Sequence, residues 1–310
     1  MESGQETANA GTDAAPPTNQ AHLHPPSGVT TGHVTPLYRA RHEPRFRRQH
    51  LIKAYQNNHD CNLVVVIDQI VPDTITHFAE TLMELDPTKD LHLLLHTPGG
   101  DGEVAVRMAR MAQEASARFV LLVPDTAKSA GTVLALAAHE IVMAATSDLG
   151  PIDPQIFVAD RGFVSAKDLI VAVDGAIAAV NAQPDTFAIQ AAMLAGIDAT
   201  TLQFARSALA RTGDLARQAI SSHSDRTPAD IDALCKTIAQ PFIESPRSHH
   251  AVIGAHEAEA AGLPITRLPM QSPHWLEIWE IWSHYFALGP LATLSVYEGA
   301  RASLILSNDA

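Results

Sequence analysis

Two consecutive glycines close the segment Leu91-His-Leu-Leu-Leu-His-Thr-Pro-Gly-Gly100, directly after an apolar run that reads as a strand. Paired glycines let the chain turn sharply and bring backbone N–H groups up to a ligand with no Cβ in the way. Two such donors aimed at one point hold a developing oxyanion, although Thr-Pro-Gly-Gly is also an ordinary tight turn. A second break, Asp125-Thr-Ala-Lys-Ser-Ala-Gly131, opens an Ala/Leu-rich helix and presents Ser129 just ahead of its first turn. Negative charge is favoured there by the helix dipole and by free N–H groups. The competing use of that hydroxyl is to cap the helix.

Both breaks must be positioned by the elements around them. Leu63–Ile67 is a β-branched run suited to a buried strand, and Asp73 is placed to cap a helix through about Leu85. Leu91–His96 is the next strand, and Gly102–Glu114 carries Val104, Met108 and Met111 at helical spacing. Phe119–Val123 makes a third strand, the helix after Ser129 runs to about Ala138, and Ile141–Ala144 is a fourth strand. Strand and helix alternate, which predicts an α/β layer with right-handed crossovers. Ligand chemistry in such layers lies beyond the carboxyl ends of the strands, where both breaks fall.

The remainder, from about Lys167 to Lys236, reads as helices. A short helix Ala255–Ala261 is stopped by Gly262, and Trp275, Ile278, Trp279 and Trp282 share one face of a further amphipathic helix. That face either packs on the chain's own core or anchors a partner. Residues 1–38 lack apolar periodicity and are expected to be disordered. Arg39 to Lys53, with six basic residues against Glu43 alone, reads as a solvated arm or a docking segment for an acidic partner or a neighbouring subunit.

The 310 residues include 46% hydrophobic ones, enough for a substantial core, and carry a formal charge of −13. That charge disfavours nucleic acid and anionic membrane surfaces as partners. No apolar run approaches the ~20 residues of a bilayer span, and no signal-peptide pattern opens the chain. Two cysteines, Cys61 and Cys235, make neither a disulfide framework nor a zinc pattern. A cytoplasmic protein is expected. His92 and His96 stand four apart on a strand, ~13 Å, too far to share an ion, so no metal is expected.

The motifs Thr97-Pro98-Gly99-Gly100, Ser129-Ala130-Gly131-Thr132, Ala137-Ala138-His139-Glu140-Ile141-Val142-Met143 and Leu149-Gly150-Pro151-Ile152-Asp153-Pro154-Gln155 together resemble the serine dehydrogenase proteinase family. That family is grouped with signal peptide peptidase A and ClpP-type serine peptidases. The resemblance is strong over Leu63–Gln155 and weaker to Leu263, through Ser248-His249 and Glu257 to Leu263. It implies a ClpP/crotonase-like spiral of β-β-α units with a helical C-terminal part. The peptidase domain would then span 39–268, with 269–310 as an amphipathic helical extension.

By the same resemblance Ser129 is the nucleophile, and backbone N–H groups of Gly99 or Gly100 and of Ala130 form the oxyanion hole. Peptide or protein substrates and a homo-oligomer are implied, with no cofactor. Relatives with a Ser–Lys dyad carry the lysine some tens of residues after the serine, and Gln183–Gln203 contains none. Lys167 is the better placed of the two downstream lysines, the other being Lys236. Lys128 adjoins the nucleophile and is expected to point away from it. A triad would need histidine. His249 matches one of the family's closing segment, His96 abuts the glycine turn, and His139 lies ~15 Å along the helix from Ser129, too far for a hydrogen bond. Asp148 and Asp153 are expected to fix the loop around Pro151 and Pro154.

Two readings compete with the peptidase. One is a catalytically incomplete scaffold of the same fold, motivated by the missing lysine. The other is a crotonase-type acyl-CoA enzyme, against which Ser129 and the Leu149–Gln155 loop argue. Dehydrogenase chemistry is not expected, because no dinucleotide fingerprint is present.

Overall fold

The computed structural model describes residues 35–158, 162–244, 248 and 251–307. The chain divides into two units, Met1–His42 and Glu43–Ala310. In the first, Thr35 Oγ1 accepts from the Tyr38 N–H and caps helix α1 (Pro36–Arg41).

The second unit opens with α2 (Glu43–His59), β1 (Asn62–Ile67), α3 (Thr74–Leu82), β2 (Leu91–His96), α4 (Gly102–Glu114) and β3 (Phe119–Val123). There follow the two-residue β4 (Thr126–Ala127), α5 (Ala130–Ala135), β5 (Glu140–Met143) and a second two-residue strand, β6 (Asp148–Leu149). A hairpin of β7 (Gln155–Val158) and β8 (Gly162–Ser165) leads into α6 (Ala166–Ala182), α7 (Phe187–Met193), α8 (Ala199–Ser221) and α9 (Pro228–Ile238). The chain ends with α10 (Ala255–Ala260), β9 (Ile265–Arg267), α11 (Pro273–Phe286), β10 (Leu294–Glu298) and β11 (Ser303–Ser307).

Seven strands form the central sheet in the order β11-β10-β1-β2-β3-β5-β9. The pairs from β1 to β9 are parallel, and β10 and β11 are antiparallel at one edge. The apolar runs are buried on both faces because a core covers each. Leu91, Leu93 and Leu95 face the layer holding α3, α4 and α5, while Leu94 faces α2 and α11. The period of two along each strand sorts the side chains between these layers.

Beyond the carboxyl ends the chain adds a second, short ladder. Ile70 bridges Gly100, Thr97 bridges Ala127, β4 pairs with β6, and Leu149 bridges Ile253. After β2 and β3 the chain thus runs from a sheet strand through a short ladder segment into a helix, which is the expected β-β-α spiral. The fold is α/β with a mostly parallel central sheet.

Two readings of the sequence change. The basic stretch is a solvated arm only in part: Arg39, Arg41, Arg47 and Lys53 are exposed, but within α2 Ile52 and Tyr55 are buried, and Arg48 Nε donates to the fully buried Glu298 at 2.7 Å. Tyr285 and Ser303 hydroxyls donate to the same carboxylate at 2.7 Å, which offsets the desolvation of the pair. The segment after 269, expected as a helical extension, supplies α11 and then two strands of the central sheet. Trp275 and Trp282 pack into the chain's own core.

Candidate functional site

Lys128, Ser129, Ala130 and Gly131 form a tight turn closed by the Gly131 N–H on the Lys128 carbonyl at 2.7 Å. Ser129 takes its first central position with φ 49° and ψ −108°, a conformation that ordinarily demands glycine. A non-glycine residue held there costs of order 1–3 kcal/mol and points to a functional constraint. The hydroxyl does not cap α5, and among the described residues it makes no hydrogen bond. The capping use weighed from the sequence is therefore not the one this serine has.

The glycine turn lies against it. A Cβ on Gly99 would fall 2.8 Å from Ser129 Cβ and 3.5 Å from its Oγ, and one on Gly100 would fall 2.0 Å from the Ile70 carbonyl oxygen. Gly99 and Gly100 have φ of 113° and 142°, so both positions require glycine. The two N–H groups differ. That of Gly99 donates to Thr97 Oγ1 at 3.1 Å, from a fully buried side chain. Among the described residues those of Gly100 and Ala130 have no acceptor; Ala130 opens α5, whose first N–H groups have no partner within the helix. Thr97 was part of the quoted motif, but nothing in the sequence marked its hydroxyl as the group that engages one glycine and spares the other.

Three further side chains brace the turn. Thr132 Oγ1, fully buried, accepts from the Gly150 N–H at 3.1 Å and lies 3.0 and 2.9 Å from the Ala127 and Gly150 carbonyls. Lys128 extends away from Ser129: it pairs with Asp148 and donates to the carbonyls of Leu149 at 3.4 Å and Ala251 at 3.1 Å. Asp148 also accepts from the Ile253 N–H at 3.1 Å. Asp153 accepts from Ser165 Oγ and Gln155 Nε2, each at 3.0 Å. Both aspartates fix the loop, as the sequence suggested.

Of the remaining expected site residues, none that the structure describes is hydrogen-bonded to the Ser129 side chain. Lys167, in the first turn of α6, donates to the Glu244 carbonyl at 3.0 Å. His249 lies outside the described residues, two positions before Ala251, whose carbonyl takes Lys128. His96 is on the opposite face of the sheet, 3.3 Å from Asp125 and packed on Trp282. His139 accepts the Phe119 N–H at 3.1 Å at the far end of the α5 segment.

His139, His223 and Asp225 bring three ligand-type atoms within 4.8 Å, which tests a metal reading. Each imidazole uses Nδ1 to accept a backbone N–H, from Phe119 at 3.1 Å and from Asp225 at 3.2 Å. With burial pushing both pKa values down, His223 to about 4, the neutral rings carry hydrogen on Nε2. His139 Nε2, 3.7 Å from the Asp225 carboxylate, is then a donor, and with both Nδ1 atoms engaged this group does not fit a cation.

The fold and site together define an α/β protein in which a strained serine at a helix start lies against a glycine turn, beside two N–H groups with no acceptor among the described residues. Residues 80–170 match the model of the ClpP-like SDH-type serine proteinases, and over that segment the chain is similar to this family. Two uncharacterized proteins of Methanocaldococcus jannaschii are similar to it. One is 37% identical over 86 residues, 28% of either chain, and the other 39% over 66 residues, 21% of this chain and 23% of the relative. The chain spans about a quarter of the length of these curated relatives. Among the described residues no helix is long and apolar enough to cross a membrane.

Proposed function

We propose that the chain is a serine peptidase that cleaves peptide bonds through an acyl-enzyme on Ser129. The observation that carries this reading is the conformation of Ser129 against Gly99, beside two N–H groups with no acceptor among the described residues. In the reaction Ser129 Oγ gives its proton to a base and bonds to the scissile carbonyl carbon. The electron pair of the C=O bond moves onto oxygen, where the N–H groups of Gly100 and Ala130 receive it. Collapse of that adduct breaks the C–N bond, the amine leaves with the proton, and water then hydrolyses the ester. The role of Thr97 is to hold the Gly99 peptide so that Gly100 presents its own N–H.

The base is assigned between Lys167 and His249. Catalytic hydrogen bonds often close only when substrate is bound, so an unengaged serine hydroxyl excludes neither. Hydrolysis of a casein-type substrate by Lys167→Met and His249→Gln separates them: the variant that loses activity while keeping its melting temperature names the base.

A fluorophosphonate probe tests the whole reading. Labelling of the wild type and none of Ser129→Ala supports it. No labelling across pH 5–10 refutes it and leaves the scaffold reading, which the unengaged hydroxyl favours.

We further propose a homo-oligomer. Phe157 and Phe163 on the β7–β8 hairpin form an edge-to-face pair yet are 68% and 75% exposed. Phe187, Ile189, Met193 and Phe204 on α7 and α8 are about as exposed. Apolar exposure on this scale marks a contact surface.

A further inference from the structure

A cavity of about 420 Å³ opens at the carboxyl ends of β1 and β2, across the glycine turn from Ser129. Its walls include Val71, Leu291, Leu294 and Leu306, and Asp68 stands among them. Gln69 and Val71 line the wall, and Ile70 between them is bonded to the glycine turn on both sides. Its N–H donates to Gly99 O at 2.9 Å, and its carbonyl accepts from the Asp101 N–H at 2.8 Å. Pro98 of the glycine turn also lines the cavity, so across this edge the turn and the Ile70 segment together stand between Ser129 and the cavity. At ~4.8 Å per ladder step, Ser129 and the cavity are ~10 Å apart, or about three residues of extended peptide.

The acceptor count on Asp68 is specific. Its Oδ1 takes the Gln69 N–H at 2.7 Å and Ser295 Oγ at 2.9 Å, while Oδ2 takes the Tyr297 hydroxyl at 2.6 Å. A carboxylate offers about four lone-pair directions, two on each oxygen. Among the described residues three are used, and one, on Oδ2, is left. Asp73 adds a second carboxylate to the lining. The two imidazoles there are engaged elsewhere, His96 with Asp125 at 3.3 Å and His77 against the Tyr297 ring at 5.1 Å.

A cavity with valine and leucine in its walls and the carboxylates of Asp68 and Asp73 in its lining fits a long aliphatic stem with a cationic tip. We propose that this cavity is a subsite for a basic side chain, lysine or arginine, of the peptide substrate, within three residues of the bond cleaved. The proposal rests on the reading of Ser129 as the acyl acceptor.

The test uses the full chain and fluorogenic peptides that carry lysine, arginine, acetyl-lysine, norleucine or glutamate in turn at each of three positions either side of the scissile bond. At one position lysine and arginine should each exceed norleucine and acetyl-lysine at least tenfold in kcat/KM. Asp68→Asn should bring that ratio close to one. The acetyl-lysine comparison uses the unmodified protein and so does not depend on the variant folding. Equal rates for lysine, acetyl-lysine and norleucine at every position overturn the subsite while fluorophosphonate labelling still reports Ser129. If no peptide is cut, the same peptides are tested for binding to Ser129→Ala by anisotropy. There, equal affinity for the lysine and norleucine forms overturns the proposal.

Discussion

Replacing Gly100 by alanine separates the backbone requirement of the turn from every side-chain effect. A Cβ at that position falls 2.0 Å from the Ile70 carbonyl oxygen, 1.4 Å inside the 3.4 Å at which contact becomes ordinary. That oxygen is held by the Asp101 N–H at 2.8 Å and cannot retreat without losing the bond. The φ of 142° adds backbone strain. Overpacking and strain are each of order 1–3 kcal/mol, so Gly100→Ala should cost about 4 kcal/mol of stability. The relief available is to move the Gly100 peptide, and with it the N–H proposed to receive the oxyanion. Loss of one such donor lowers the rate ~10²–10³-fold. Urea unfolding and the rate of fluorophosphonate labelling measure the two effects on one sample. Gly213→Ala, in α8 with nothing within 4 Å of the added methyl, is the control; it should gain ~0.5–1 kcal/mol and label normally. Wild-type labelling by a folded Gly100→Ala protein would refute the assignment of the Gly100 N–H.

Ser129→Gly should raise the stability by about 1–2 kcal/mol, because glycine adopts φ 49° without strain, and should abolish labelling; a less stable variant would show that the serine is not strained. Burial lowers His92 to about 3 from 6.5, while its Nδ1 lies 2.8 Å from the Tyr55 hydroxyl. The unfolded chain therefore binds a proton below pH 6.5 that the folded chain refuses until about pH 3, and the stability contributed above 6.5 is lost as pH falls through that window. At about 1.4 kcal/mol per unit, up to about 2 kcal/mol disappears by pH 5. The gap between urea midpoints at pH 7 and 5 should narrow in His92→Gln without closing, because burial also lowers His139, His223 and His274, and an unchanged pH slope would contradict the assignment. Phe157→Asp with Phe163→Asp should shift sedimentation toward the 33.2 kDa species, whereas an unchanged distribution would remove the hairpin from the proposed interface.

Read by itself, the sequence determines the layer that carries the site. Leu91–His96, Gly102–Glu114 and Phe119–Val123 are strands and helix as their periodicity predicts, because period and propensity are local properties of consecutive residues. The glycine turn and Ser129 were legible for the same reason: both interrupt a periodic run at its end. What the tertiary structure decided involves partners far apart in the chain. Whether Gly99 or Gly100 keeps its N–H depends on the Thr97 hydroxyl and on the Ile70 segment across the ladder. The direction of Lys128 depends on Asp148 and Ala251, and the burial of Arg48 depends on Glu298, 250 residues away. Glu298 also shows why β10 was missed, since a fully buried carboxylate in a strand makes sense only once Arg48, Tyr285 and Ser303 surround it. Local pattern sets which elements form, and the hydrogen bonds that choose among equivalent backbone groups exist only after those elements have met.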